Sequence, residues 1–186
     1  MDIDTIIQKR RAYRALSPVT ITDEMVSALA ESARLAPSCF NKQPWRFVFI
    51  RSADQLEHMH TALSQGNAWA KNGSMIIAVV STKEFDCVVK SREYFLFDTG
   101  MASALLMLKG VDMGLVMHAI AGFDEDQVKD ILGIDDSLTV ITLIVCGKHA
   151  DDPGSMLNEK QMESEKKRPH RFPLADFAFH ESYGTT

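Results

Sequence analysis

Apolar and polar positions alternate most clearly at residues 45–50. Trp45, Phe47 and Phe49 face one way there, and Arg46, Val48 and Ile50 the other. Both faces are largely apolar, which predicts a strand buried within a sheet. Pro44 lacks an N–H and suits the position before it. Residues 75–80 form an unbroken apolar run, short enough for a central strand, and 138–145 read as another. Helical spacing predicts a short helix capped by Asp2 with Ile3, Ile6 and Ile7 on its apolar face. A second, capped by Thr22, carries Met25, Val26, Leu29 and Ala33 and ends at Pro37. Residues 54–63 read as a surface helix. Residues 124–132 read as an amphipathic one, with Asp124 and Gln127 as a capping box and Gly133 behind it. The longest helical stretch, 91–109, is apolar around much of its circumference (Tyr94, Phe95, Phe97, Met101, Leu105, Leu106, Leu108). That predicts a helix covered on all sides and shared with a partner subunit.

Composition narrows the class. The chain has 186 residues, 46% hydrophobic and 24% charged, which suits one soluble domain. A net charge of −5 argues against a general nucleic-acid binder. No run is long and apolar enough to predict a membrane span, and Met1-Asp2-Ile3-Asp4 lacks the basic start of a signal peptide, so a cytoplasmic protein is expected. Cys39, Cys87 and Cys146 are odd in number and lack C-x-x-C spacing, which fits reduced thiols and predicts no metal site. His58 and His60, two apart on a helix, do not share a face and read as solvated. There are no repeats and no G-x-G-x-x-G.

Three stretches carry candidate chemistry. The loop at 37–44 (P-S-C-F-N-K-Q-P) joins a helix to the strand at 45–50. Its backbone N–H groups, Ser38 and Asn41 suit a flat heteroaromatic ligand, or it is only a connection. Lys9, Arg10, Arg11 and Arg14 crowd one short segment, and Lys166, Lys167, Arg168 and Arg171 another. The first reads as an anion clamp or a solvated helix end, the second as a solvated run or a nucleic-acid patch.

The pattern P-S-x-x-N-x-Q-P-W resembles the signature of the nitroreductase family of FMN enzymes, and further likenesses follow in family order. Arg10 and Arg14 match an R-x-S-x-R/K element, with Arg11 beside them and Ala12 in place of the Ser. Asn67 matches an Asn that meets the flavin's pyrimidine edge. Ala121-Gly122-Phe123 resembles a G-G-F turn whose backbone N–H approaches flavin N5, and His118 before it reads as structural. Gly147-Lys148-His149 departs from the family's G-Y-P.

The resemblance implies an α+β fold over residues 1–186, a mixed central sheet with helices on both faces, and a homodimer. Residues 150–186 would be a linker and C-terminal arm wrapping the partner, with Phe172, Leu174, Phe177 and Phe179 in the tail. It implies FMN held by Arg10, Arg11, Ala12, Arg14, Pro37, Ser38, Cys39, Asn41, Asn67, Ala121, Gly122, Arg168 and Arg171. NADH or NADPH would deliver hydride to flavin N5, and a nitroaromatic, quinone or other small organic acceptor would take it in turn, with no protein side chain as catalyst. The alternatives are an FMN-storing protein without turnover, or a binder of nucleic acid or acidic ligands through the basic clusters.

Overall fold

The computed structural model describes residues 1–185; Thr186, the end of the expected arm, lies outside them. Helix α1 (Ile3–Lys9) starts where the Asp2 carboxylate accepts the Thr5 N–H at 2.9 Å. Strand β1 (Leu16–Ser17) follows, then α2 (Asp23–Arg34), capped by the Thr22 hydroxyl with Asp23 and Glu24 in its first turn. Next come β2 (Arg46–Ile50), α3 (Ala53–Thr61), a 3-10 stretch at Gln65–Asn72 and β3 (Met75–Ser81). A small hairpin, β4 (Val88–Val89) and β5 (Arg92–Glu93), leads into α4 (Phe95–Asp112). The chain closes with β6 (Val116–Ile120), α5 (Glu125–Leu132), β7 (Thr139–His149) and α6 (Glu159–Lys166).

The sheet runs β1-β7-β3-β2, with β6 also paired to β7. Every residue of β3 is buried, and its side chains divide two cores by simple alternation. Ile76, Ala78 and Val80 pack with Leu56, Met59 and Trp69 on the face covered by α3 and α5. Met75, Ile77 and Val79 pack with Leu29, Ala33 and Leu106 on the face covered by α2 and α4. Helices thus cover both faces of the sheet, as expected. The pairings of this sheet within the chain are all antiparallel, so the parallel pairing of a mixed sheet is not among those of the described residues.

Several expectations change. Strand β2 pairs only with β3, so it is an edge strand with half-buried Phe47, Val48 and Phe49 instead of a fully buried one. Helix α4 begins at Phe95, because residues 88–93 pair as a hairpin. Within one chain it is covered on one side only: Ala102, Leu106 and Val111 face the core, while Leu96, Phe97 and Leu105 are exposed alongside Ile3, Ile7 and Leu35, where the expected partner would have to cover them. Residues 150–165 are not all linker, since α6 occupies the second half. Asp124 caps α5, but the Gln127 amide donates to Thr61 Oγ1 instead of closing a capping box. Cys39 and Cys87 are joined as a disulfide, where reduced thiols were expected. His60 is half-buried with Nε2 enclosed and unpartnered, not solvated. In the tail Phe172 is 74% exposed and Leu174 72%, resting on nothing in their own chain.

His118 sits in the core between Trp69, with ring centroids 4.6 Å apart, and the Tyr13 carbonyl, 2.9 Å from Nδ1. Burial first, and the Arg14 charge beyond it, depress its pKa to about 4, outweighing the hydrogen bond to Tyr13. Its imidazole is therefore neutral in the fold, while the unfolded chain protonates it near pH ~6.5. Stability from this group is present above about pH 6.5 and is lost as pH falls towards about 4. The full loss is about 3 kcal/mol. Urea unfolding of the wild type and His118→Gln at about pH 7.5 and about pH 4.5 should show the gap between them narrowing at the lower pH. A gap independent of pH would mean the imidazole is not buried in its neutral form.

Candidate functional site

Helix α1 ends at Lys9, and residues 10–14 run extended from it into β1. Helix α6 closes over this segment. It is started by a reciprocal capping box, Asn158 Oδ1 accepting the Gln161 N–H at 2.9 Å and Gln161 Oε1 accepting the Asn158 N–H at 3.0 Å. At its other end Glu165 Oε1 accepts the Arg14 backbone N–H at 2.7 Å. The Arg11 guanidinium donates to the Ser164 carbonyl at 2.6 Å and the Glu165 carbonyl at 3.2 Å. Beyond α6, Arg168 donates to the carbonyls of Gln8 and Arg10. The two basic clusters, at opposite ends of the sequence, so meet around one cavity of about 190 Å³ bordered by Arg10, Ala12, Arg14, Ser164, Arg168 and Arg171.

The cavity is lined with cations and suits an anion. Arg11 is spent on carbonyls and on the Tyr13 ring, 4.5 Å from its centroid. Arg10, Arg14, Arg168 and Arg171 form no ion pair with a carboxylate among the described residues. Burial, then the charges of Arg168 and Arg171, push the Arg10 guanidinium pKa down. Guanidinium groups held together without a counter-charge lose Coulomb energy that a bound phosphate would restore through forked hydrogen bonds. Ala12 leaves room there but no hydroxyl.

On the same side, Arg14 lies 5.9 Å over the Trp69 ring, and Gln161 of α6 donates to the Gly66 carbonyl. That places Asn67 nearby. Its amide donates to the Gly122 carbonyl at 2.9 Å, and the Ser64 N–H donates to the same oxygen at 3.1 Å. A Cβ on Gly122 would stand 2.5 Å from Ser64 Oγ and 2.7 Å from Asn67 Nδ2, so any side chain there would have to displace one or both of them. Ala121 beside it is exposed.

The loop after Pro37 is built differently. Phe40, Asn41 and Gln43 all take left-handed φ angles, of 48°, 56° and 50°. Such angles are costly for residues with a Cβ and need to be held in place. Ser38 Oγ accepts the Gln43 N–H at 2.9 Å, Asp98 Oδ2 accepts the Cys39 N–H at 2.6 Å, and Cys39 is bonded to Cys87 with Cα atoms 6.1 Å apart. Phe40 is left 89% exposed. Sequence reasoning missed Asp98, Cys87 and Glu165, whose side chains or backbone hold these segments. Asp98 alone had a local sign, an acid inside the apolar run F-L-F-D-T-G.

These two groups do not meet in one chain. The loop at 37–44 enters β2 beside Val80, which pairs with Val140 at the start of β7; the arginine segment enters β1, whose Leu16 pairs with His149 at the far end of β7. Along β7 that is about 30 Å at ~3.3 Å per residue, and β2 lies a further strand away, beyond β3.

Comparison with known proteins bears on the fold and the family. A solved structure described as an oxidoreductase containing FMN superposes with a TM-score of 0.84 at 28% identity, covering 100% of this chain and 95% of that one. A nitroreductase family protein from Clostridium novyi NT gives 0.76 at 24% identity over 100% and 97% of the two chains, a likeness of fold. The Bacillus subtilis protein named "Putative NAD(P)H nitroreductase YdgI" is 27% identical over 188 aligned positions, 81% of this chain and 90% of its own. The Nitroreductase family profile matches residues 7–148, more than half of the chain, and the chain belongs to that family.

Proposed function

We propose that the protein is an FMN-dependent oxidoreductase that takes hydride from NADH or NADPH and passes it to a small organic acceptor such as a nitroaromatic or a quinone. The observation that carries this reading is the convergence of Arg10, Arg14, Arg168 and Arg171, without carboxylate partners, around a cavity about 190 Å³ in volume. That space suits a phosphate group and not a whole flavin, so the ring system extends out of it. Bound FMN would supply a two-electron carrier at N5. The arginines would fix its phosphate, and their charge would favour the electron-rich ring of the reduced cofactor. Asn67 offers an amide oxygen that accepts no hydrogen bond among the described residues, suited to the pyrimidine edge. The tight turn at Ala121-Gly122 brings exposed backbone close to the ring. His118, buried and bonded to Tyr13, takes no part in proton transfer.

Pro37, Ser38, Cys39 and Asn41 are too far from the arginines of their own chain to share a ligand with them. One FMN held by both groups lies between two copies of the chain, and a homodimer carries two such sites. The exposed Leu96, Phe97 and Leu105 of α4 and the bare tail at Phe172 and Leu174 are the apolar surface that pairing would cover. The reading is of a cytoplasmic enzyme, where NAD(P)H is supplied; among the described residues no helix is long and apolar enough to cross a membrane. The names of YdgI and of the FMN-containing oxidoreductase support the choice of co-substrate and cofactor.

Purified protein should be yellow, release FMN on heating and oxidise NADH or NADPH with a quinone present. A colourless protein that FMN cannot reconstitute would remove the reading, and a yellow one without turnover would leave a flavin store. A charge-assisted hydrogen bond is worth about 1.5–3 kcal/mol, so Arg10→Ala or Arg14→Ala should weaken FMN about tenfold or more with the fold retained. Unchanged affinity in both would show that the cavity binds no phosphate. Removing residues 172–186 should lower FMN affinity and dimer stability together. A truncated chain that sediments as a dimer and titrates normally with FMN would show the tail to be an appendage.

A further inference from the structure

Cys39, Asp86 and Cys87 offer two sulfurs and a carboxylate oxygen that all lie within 4.8 Å of one another, the one such three-residue cluster among the described residues. Two of the three are buried, Asp86 at 6% exposure and Cys87 at 8%. The site is framed from both sides. Asp86 Oδ1 accepts the Cys87 backbone N–H at 2.7 Å, and Asp98 Oδ2 accepts the Cys39 backbone N–H at 2.6 Å, so a carboxylate anchors the main chain at each cysteine. Asp86 Oδ2 is then left enclosed, with no hydrogen-bond partner among the described residues. A buried carboxylate oxygen with no donor is costly, and the Asp98 carboxylate close by adds repulsion. A cation between the sulfurs and that oxygen would answer both.

We propose that the reduced form of this cluster binds one thiophilic divalent ion such as Zn²⁺ through Cys39 Sγ, Cys87 Sγ and Asp86, with water in the fourth position. Two thiolates and one carboxylate are a donor set that zinc accepts, and three protein ligands leave one tetrahedral position open. The disulfide and the metal exclude each other. A dithiol reductant gives two electrons and two protons to the Cys39–Cys87 bond, which breaks to two thiols as the dithiol closes to its own disulfide. The metal then displaces the two thiol protons to solvent. Oxidation and metal loading become alternative ways of tying the loop at 37–44 to the start of the β4–β5 hairpin. The proposal does not depend on FMN, and either can fail alone.

The test uses the full-length protein, oxidised or reduced with a dithiol that is then removed without air. Equilibrium dialysis against Zn²⁺ should leave about one ion on each reduced chain and none on the oxidised one. Cd²⁺ should give a thiolate charge-transfer band in the ultraviolet difference spectrum of the reduced protein alone. Cys87→Ser should abolish the band, and Asp86→Asn should weaken Zn²⁺ at least about tenfold. Cys146→Ala, which changes a buried thiol outside the cluster, should bind as the wild type does. Circular dichroism checks that each variant folds; should Asp86→Asn fail, the oxidised and reduced wild type with Cys87→Ser still decide. Reduced protein that retains no Zn²⁺, or a Cys39→Ser/Cys87→Ser double variant that binds it equally well, would overturn the site.

Discussion

The structure depends on one strand whose two faces are equally apolar. Because every side chain of β3 is buried, its neighbours β7 and β2 must pair on both edges and helices must cover both faces. The main chain of β3 is satisfied by two antiparallel ladders, and its side chains by two cores. The candidate site residues then lie at the rim of the sheet, where segments enter and leave it. The arginine segment enters at β1, the turn at Ala121-Gly122 leaves β6, and the left-handed loop enters at β2.

Rigidity at that rim is supplied by side chains reaching in from other segments. Glu165 and the last carbonyls of α6 hold Arg11 and the main chain at Arg14, so a helix late in the sequence fixes the geometry of a segment near its start. Asp98 does the same for Cys39 from the first turn of α4. The cost of three left-handed non-glycine residues is borne locally by Ser38, Asp98 and the link to Cys87.

Local pattern and motif made much of this legible. The all-apolar run of β3, the caps at Asp2, Thr22 and Asp124, and the two basic clusters are short-range features that a sequence displays directly. What lay hidden depended on distance along the chain. Nothing near residues 45–50 says that their strand is an edge, because an apolar pattern does not report how many neighbours a strand has. Asp98 and Glu165 act on residues far away in sequence, and Cys39 and Cys87 are 48 residues apart. Helix α6 has the polar composition of a linker, and a helix that lies on the surface and works through its end carbonyls has little apolar periodicity to show. The family signature names the loop and the arginines together, but only the register of β1, β7, β3 and β2 reveals that one chain keeps them apart.

That separation has a thermodynamic consequence. When a ligand touches two chains, its affinity and theirs are linked, and by reciprocity the factor by which cofactor tightens the pair equals the factor by which pairing tightens the cofactor. In the proposed homodimer each chain would contribute one half of either site, so association would complete both at once. Specific activity would then fall on dilution even at saturating substrate, and a chain carrying a lesion in its arginines could be rescued at one site by a partner carrying a lesion only in its loop. Complementation between two inactive proteins would then follow from the distance the sheet sets between the two groups, before any chemistry begins.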